Sequence, residues 1–375
     1  MTSIEKKAAG LLLFIIMLCF CMVTLGGFVR LSGSGYAIPE WPVFTTDYVQ
    51  QSDGTEKPVK TVIPPFNNEG WEHLLKTYLH DVPTDEGIAL ATFKHMFWIE
   101  WSHRATGGLI SISYLSFLVL IVASRTLRQK IGGIVGGGMA LLFCIIVLGG
   151  IVVKTQLHAA SLSYHLLAAF SFISLLVWVL MRLVHPPLSP EEKLAMGRNP
   201  LFGLALAIFG LVALQIFSGG LMAGSKAGFQ MNTWPLMGDN LVPPHMWEDG
   251  GLFHNISENK VVIQLTHRWF AFVVGVSVLF LVLRSATLDI GKVGRWAIRS
   301  SMFVVVLQIL MGILTLLLGV RTHMALTHQF LGLVLMLNLL VIVYEAKHHK
   351  VLSEESVAER DAAAEKAGAG ALQNA

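Results

Sequence analysis

Apolar residues run along this chain in long unbroken blocks, neither confined to one helical face nor placed at alternate positions. Blocks able to cross a ~30 Å hydrocarbon core as helix, which takes ~20 residues, fall at roughly 11–30, 95–123, 133–153, 158–183, 201–224, 261–283, 299–319 and 324–345. In lipid every backbone polar group has to be satisfied within its own segment, and continuous apolarity does not suit barrel strands. The pattern therefore predicts an all-α polytopic membrane protein with eight transmembrane helices. Basic residues collect in alternate connections: Lys6 and Lys7 at the start, Arg125 to Lys130, Arg182 to Arg198, Arg284 to Arg299, and Lys347 with Lys350 at the end. By the positive-inside rule both termini are expected in the cytoplasm. The first block opens almost at the start, without an Arg- and Ser-rich import leader, and seven more follow it. A bacterial plasma membrane is the expected location.

Composition sharpens this picture only slightly. With 54% hydrophobic and 14% charged residues in 375, the chain is far more apolar than a soluble domain. Its net charge of +3 is accounted for by the basic cytoplasmic connections, so membrane lipid is an expected partner and nucleic acid is not. Cys19, Cys21 and Cys144 all fall inside apolar blocks, and two positions two apart on a helix point different ways, so no disulfide or cysteine metal motif is supported.

The polar exceptions inside the blocks repeat. Ile99-Glu100-Trp101-Ser102-His103-Arg104 returns as Ile263-Gln264-Leu265-Thr266-His267-Arg268. A second intramembrane histidine follows each copy, His165 after 62 residues (165 − 103) and His328 after 61 (328 − 267). Upstream, Gly26-Gly27-Phe28-Val29 through Gly35-Tyr36 to Trp41-Pro42 aligns without a gap onto Gly219-Gly220-Leu221-Met222 through Gly228-Phe229 to Trp234-Pro235, at a constant offset of 193 (219 − 26). The offset falls to 164 at His103/His267 because the first outer loop is longer than its counterpart. Four helices used twice keep the same direction across the membrane, which gives parallel repeats and two pseudo-symmetric four-helix bundles. The expected layout is an N-terminal bundle over 1–184, a cytoplasmic linker over 185–200, a C-terminal bundle over 201–346 and a disordered cytoplasmic tail over 347–375.

The histidine-bearing spans all enter from the outer side, so the four imidazoles share one level. Within a half the two bearing spans run parallel, and their histidines can face each other across the bundle. Two axial imidazoles and an apolar slot suit a haem iron. A single intramembrane histidine often only bonds across helices, but four in symmetric positions favour ligation, and no Asp, Glu or Cys accompanies all four as zinc or di-iron would require. His158 and His323, at the mouths of spans, lie near a haem edge or have no role. Arg104 and Arg268 follow the first ligand of each half, where they either pair haem propionates or snorkel to the interface. The cluster from Gly132 to Gly138 reads as helix packing. Glu100 has Gln264 as its counterpart. A carboxylate at one of two symmetric sites points to proton transfer or charge stabilisation in the first half, the bland alternative being a helix-orienting pair with Arg104.

At these residues the chain resembles the haem A synthases. The resemblance runs from about Gly26 to Tyr344 and is carried by Gly26-Gly27-Phe28-Val29-Arg30-Leu31-Ser32-Gly33-Ser34-Gly35 with Glu40-Trp41-Pro42, by Phe93-Lys94 leading to the first histidine motif, by Ala227-Gly228 with Asn232 to Met237, by the second motif, and by Leu326-Thr327-His328-Gln329. It implies oxidation of the ring-D methyl of haem O to a formyl group, giving haem A for terminal oxidases. It also implies that His103 and His165 flank the substrate haem, that Glu100 is the essential carboxylate, and that His267 and His328 ligate haem b. Haem O synthase and cytochrome oxidase assembly factors are the partners it implies, with homo-oligomerisation and the electron acceptor left open. One branch of the family carries a cysteine pair in the first outer loop, and the stretch from Leu31 to Thr92 has none. Two successive oxidations, methyl to alcohol and alcohol to a gem-diol that loses water, with water as oxygen source, suit a bis-ligated iron, and an oxygenase mechanism in which one histidine leaves the iron stays open beside them. A di-haem electron-transfer protein and a haem chaperone for oxidase assembly are the other readings, and the Glu100/Gln264 difference favours the enzyme.

Overall fold

The computed structural model describes residues 1–38, 44–50, 56–62, 68–81, 87–185, 199–286 and 290–348, with backbone alone for 44–50, 56–62 and Asp81. Helix α1 (Ser3–Leu31) leads to a β-hairpin, β1 (Phe44–Gln50) and β2 (Glu56–Val62), and a short helix α2 (Asn68–Asp81). Then come α3 (Leu90–Ala123), α4 (Arg125–Lys154), α5 (Ala159–Val184), α6 (Pro200–Gly224), the short α7 (Gly251–Ser257), α8 (Lys260–Ser285), α9 (Gly291–Leu317) and α10 (Thr322–His348). Among the described residues eight of these, all but α2 and α7, are long and apolar enough to cross a membrane. They overlie the eight blocks expected from sequence. Their outward faces stay apolar, with Phe143 and Phe303 66% and 70% exposed, as lipid rather than water requires.

Helix ends follow local chemistry. Thr2 and Glu5 cap α1 reciprocally, Thr2 Oγ1 accepting from the Glu5 amide at 3.3 Å and Glu5 Oε2 from the Thr2 amide at 2.8 Å. Ser124 alone separates α3 from α4 and caps the latter. Asn199 followed by Pro200 starts α6, and Asn259 starts α8.

In the first half α1 packs on α3, α3 on α4, α4 on α5, and α5 closes back on α1. Helices α6, α8, α9 and α10 repeat this cycle, an arrangement compatible with the two bundles that the duplication predicts. The halves meet through α5 on α6 and α1 on α10. Glycine makes both approaches close: a Cβ on Gly27 would stand 2.6 Å from the Leu326 side chain, and one on Gly220 would stand 2.7 Å from Ser163 Cα. The repeat offsets relate these contacts to each other (27 + 193, 326 − 163). Arg30 crosses the same seam, donating to the carbonyls of Ala223 and Gly224.

One end of the bundle carries the longer connections, and here the sequence reading is incomplete. The outer loop contains a hairpin, paired antiparallel from Phe44↔Val62 to Gln50↔Glu56. It also contains α2, whose Trp71 and Tyr78 bury against Phe97 and Phe93, with ring centres 4.8 Å and 5.4 Å apart. That aromatic contact extends α3 back to Leu90, five residues before the expected 95. Glu40, Trp41 and Pro42, the linker residues 186–198 and the tail 349–375 lie outside the described residues.

Candidate functional site

Helix direction brings the four intramembrane histidines to one level. His165, His267 and His328 stand six, seven and six residues inside α5, α8 and α10 (165 − 159, 267 − 260, 328 − 322), each of which starts at the loop-rich end. That is ~10 Å along the axis. His103 stands thirteen residues inside α3 (103 − 90), of which the first five are the extension packed on α2.

In the second half the imidazoles of His267 and His328 face each other with ring centres 6.3 Å apart and planes at 78°. An iron at roughly 2 Å from one nitrogen of each of two imidazoles separates the ring centres by about 6 Å, so this pair has the spacing of two axial ligands. Both rings are held by Nδ1. His328 Nδ1–H donates to the Gln308 carbonyl at 3.1 Å. His267 Nδ1 lies 2.8 Å from Ser218 Oγ and 3.2 Å from Gln215 Nε2, and Ser218 Oγ also donates to the Gln215 carbonyl at 2.8 Å; in the tautomer with its proton on Nδ1 the ring donates to the hydroxyl. Gln215 Nε2 adds a bond to the His267 carbonyl at 3.0 Å. A proton fixed on Nδ1 leaves the Nε2 lone pair for a metal. Two glycines make room: a Cβ on Gly219 would sit 3.2 Å from His267 Cε1, and one on Gly312 would sit 2.8 Å from His328 Cε1.

The first half repeats the layout with looser anchoring. His103 and His165 lie within electrostatic reach of each other. Gly26, the counterpart of Gly219, again abuts the first histidine, but its Cβ would meet Nε2, at 3.1 Å, instead of Cε1. The two rings are therefore turned differently. No hydrogen bond holds the His103 ring among the described residues. The Ile145 carbonyl faces His165 as the Gln308 carbonyl faces His328 (308 − 145 = 163), yet His165 Nδ1 is buried without a bonded partner.

The arginine after each first ligand clamps the same point of its outer loop. Arg104 Nη2 donates to the Ile38 carbonyl at 2.5 Å and Arg268 Nη2 to the Met231 carbonyl at 2.7 Å, carbonyls related by the 193 offset (231 − 38). Arg268 also donates to the carbonyls of Thr233 and Leu236. The neighbouring position then divides the halves. Glu100 Oε1 accepts from Arg104 Nε at 2.7 Å, while Gln264 donates to the Met231 carbonyl at 3.1 Å and leaves Arg268 Nε buried without a partner. Both guanidiniums thus pin loop backbone beside the histidine pairs, and Glu100 meets Arg104 rather than His103.

The model of the family described as cytochrome oxidase assembly protein matches residues 9–340. The chain belongs to that family. Similar relatives include a Heme A synthase of Nitrosomonas eutropha, 32% identical over 328 residues that span 85% of this chain and 87% of the relative. A Heme A synthase of Rhodospirillum centenum is 32% identical over 88% of this chain and 86% of its own, and one of Paracoccus denitrificans is 28% identical over 90% and 86%. Eight apolar helices in this cytochrome oxidase assembly protein fit a multi-pass protein of a bacterial membrane.

The remaining histidines of this family member stand apart from the pairs. His158 Nε2 lies 3.2 Å from Glu258 across the outer connections, and His323 is exposed. His348 stacks on Tyr344 with ring centres 4.2 Å apart. Gln215, Ser218 and the Gln308 carbonyl escape the sequence reading. Their only signal is that Ser218 immediately precedes the repeated Gly219-Gly220 and that Gln215 is a lone amide within an apolar block.

Proposed function

We propose that this chain is a haem A synthase, oxidising the ring-D methyl of haem O to a formyl group, with substrate held in the first half and a resident haem b in the second. The relatives are named for this activity. The observation that supports haem in the second half is the His267–His328 pair, spaced for two axial bonds and with both Nδ1 atoms committed elsewhere. Haem b, bound there, supplies one-electron transfer.

This chain's own residues do the rest. His103 and His165 hold haem O across the first bundle, and the apolar helices around it exclude bulk water. Glu100 accepts a proton from, or places negative charge beside, the carbon being oxidised, and Arg104 orients that carboxylate while tying α3 to the outer loop. Arg104 and Arg268, besides clamping the loop carbonyls, pair the haem propionates. Two oxidations take methyl to alcohol and alcohol to a gem-diol that loses water; each consumes one water as oxygen source and releases two protons and two electrons, the electrons passing to an external acceptor. Both termini are cytoplasmic, and the first bundle over 1–184 and the second over 201–346 divide the labour. A haem O synthase supplies the substrate, and oxidase assembly consumes the product.

The test is to express the chain in a host that makes haem O and no haem A, then chromatograph acid-extracted haems. Haem A or its alcohol precursor supports the reading. Haem O alone overturns it and favours a di-haem electron-transfer protein.

A further inference from the structure

The two histidine pairs differ most in what stands behind them. In the second half Ser218 Oγ and the Gln308 carbonyl each hold a ring by its Nδ1, and the Gln215 amide bonds both the His267 ring and its backbone carbonyl. In the first half the repeat puts Leu25 where Ser218 stands (218 − 193) and Met22 where Gln215 stands (215 − 193). Neither side chain can accept a Nδ1 proton. The first ligand reflects this: His103 turns Nε2 toward Gly26 and has no hydrogen bond on its ring among the described residues.

We infer that Ser218 and Gln215 are positioning residues that make the second pair a permanent haem site, and that Leu25 and Met22 leave the first pair free to bind and release haem. A turnover site has to let a bulky product leave, whereas an electron-transfer site has to keep its haem through every cycle. Supporting hydrogen bonds fix ring orientation and raise the basicity of a metal-bound imidazole. The same fold thereby serves a resident and a passing haem through two substitutions per half. This rests on the assignment of resident haem to the second half.

The full chain carrying His103→Ala and His165→Ala, purified in detergent without haem, is titrated with hemin so that only the second pair is read. Adding Ser218→Ala with Gln215→Met is expected to weaken hemin binding roughly 10- to 100-fold. It should also raise the haem midpoint potential, because a less basic imidazole stabilises ferric iron less, and Ser218→Thr in place of Ser218→Ala should restore both. Unchanged affinity and potential would overturn the inference. In the reciprocal chain, with His267→Ala and His328→Ala, adding Leu25→Ser and Met22→Gln should tighten hemin binding by about the same factor, and no tightening would overturn the first-half claim. If the chain with the second pair removed and the first intact keeps all the hemin of the wild type, the assignment of resident haem fails, and the inference with it.

Discussion

Arg104 and Glu100 form an ion pair of 2.7 Å within the bundle, with side chains only 3% and 5% exposed. Their counterparts Arg268 and Gln264 share a carbonyl instead of a bond. Removing one partner of a buried pair strands the other charge, at a cost of about 3–5 kcal/mol, whereas losing Arg268 removes hydrogen bonds only, at about 1–3 kcal/mol. Thermal unfolding in detergent should show Arg104→Met lowering the midpoint well beyond Arg268→Met. The double variant Glu100→Gln, Arg104→Met should recover part of the loss. Equal losses for the two single variants would contradict the pairing.

Gly312 tests how closely the second site is built. An alanine methyl there would fall 2.8 Å from His328 Cε1, too close for the ring to stay, and moving the ring breaks its bond to the Gln308 carbonyl. Gly312→Ala should therefore deplete haem from the second half while the helices still assemble, read as loss of one low-spin haem spectrum with unchanged helical circular dichroism. Gly203→Ala, where nothing lies within 4 Å, is the silent comparison.

Each of His267→Ala and His328→Ala should remove the same single b-type haem and spare porphyrin binding by the first pair. Both ligands of that site come from the second half, whose four helices close on themselves. Reconstitution in which either change empties both halves would argue against separate sites.

Eight spans and two histidine pairs are legible in the sequence because lipid demands continuous apolar helix and because duplication writes the histidine motif twice. Glu100 stands out for the opposite reason, as the member of a repeated motif that breaks the repeat. What is not legible depends on which helix lies beside which. Ser218 sits 49 residues from His267, and only the packing of α6 on α8 turns it from an ordinary small residue into a proton acceptor. The backbone partners of the arginines are hidden in a similar way. The arginines' place after the ligand suggests propionates, and it takes the folded loop to bring the Ile38 and Met231 carbonyls to them. Helix α2 escapes a reading built on continuous apolar blocks because Trp71, Leu74, Leu75, Tyr78 and Leu79 recur at the spacing of an amphipathic helix in an otherwise polar loop.

Trp71 is the anchor of that loop, edge-on to Phe97 and beneath the Lys94 ammonium. Truncating a buried aromatic costs about 3–5 kcal/mol, here charged to the docking of α2 rather than to the membrane bundle. Trp71→Ala should make the segment between α1 and α3 sensitive to protease added on its own side of sealed vesicles, with the eight spans intact. Protection equal to the wild type would mean that α2 is held by something other than its aromatic face.

The division of labour between the halves is tested most directly by Glu100→Gln, which gives the first half the residue the second already carries. Gln264 shows that an amide is accommodated beside an arginine at this position, bonding to the loop carbonyl, so the variant, though less stable because Arg104 loses its carboxylate partner, should still fold and bind haem while the carboxylate's chemistry is lost. Acid-extracted haems from membranes bearing this variant should contain haem O or its hydroxylated intermediate in place of haem A, with haem b undiminished. A normal yield of haem A would contradict the account, since the one acid–base group that distinguishes the two halves would then have no part in the reaction.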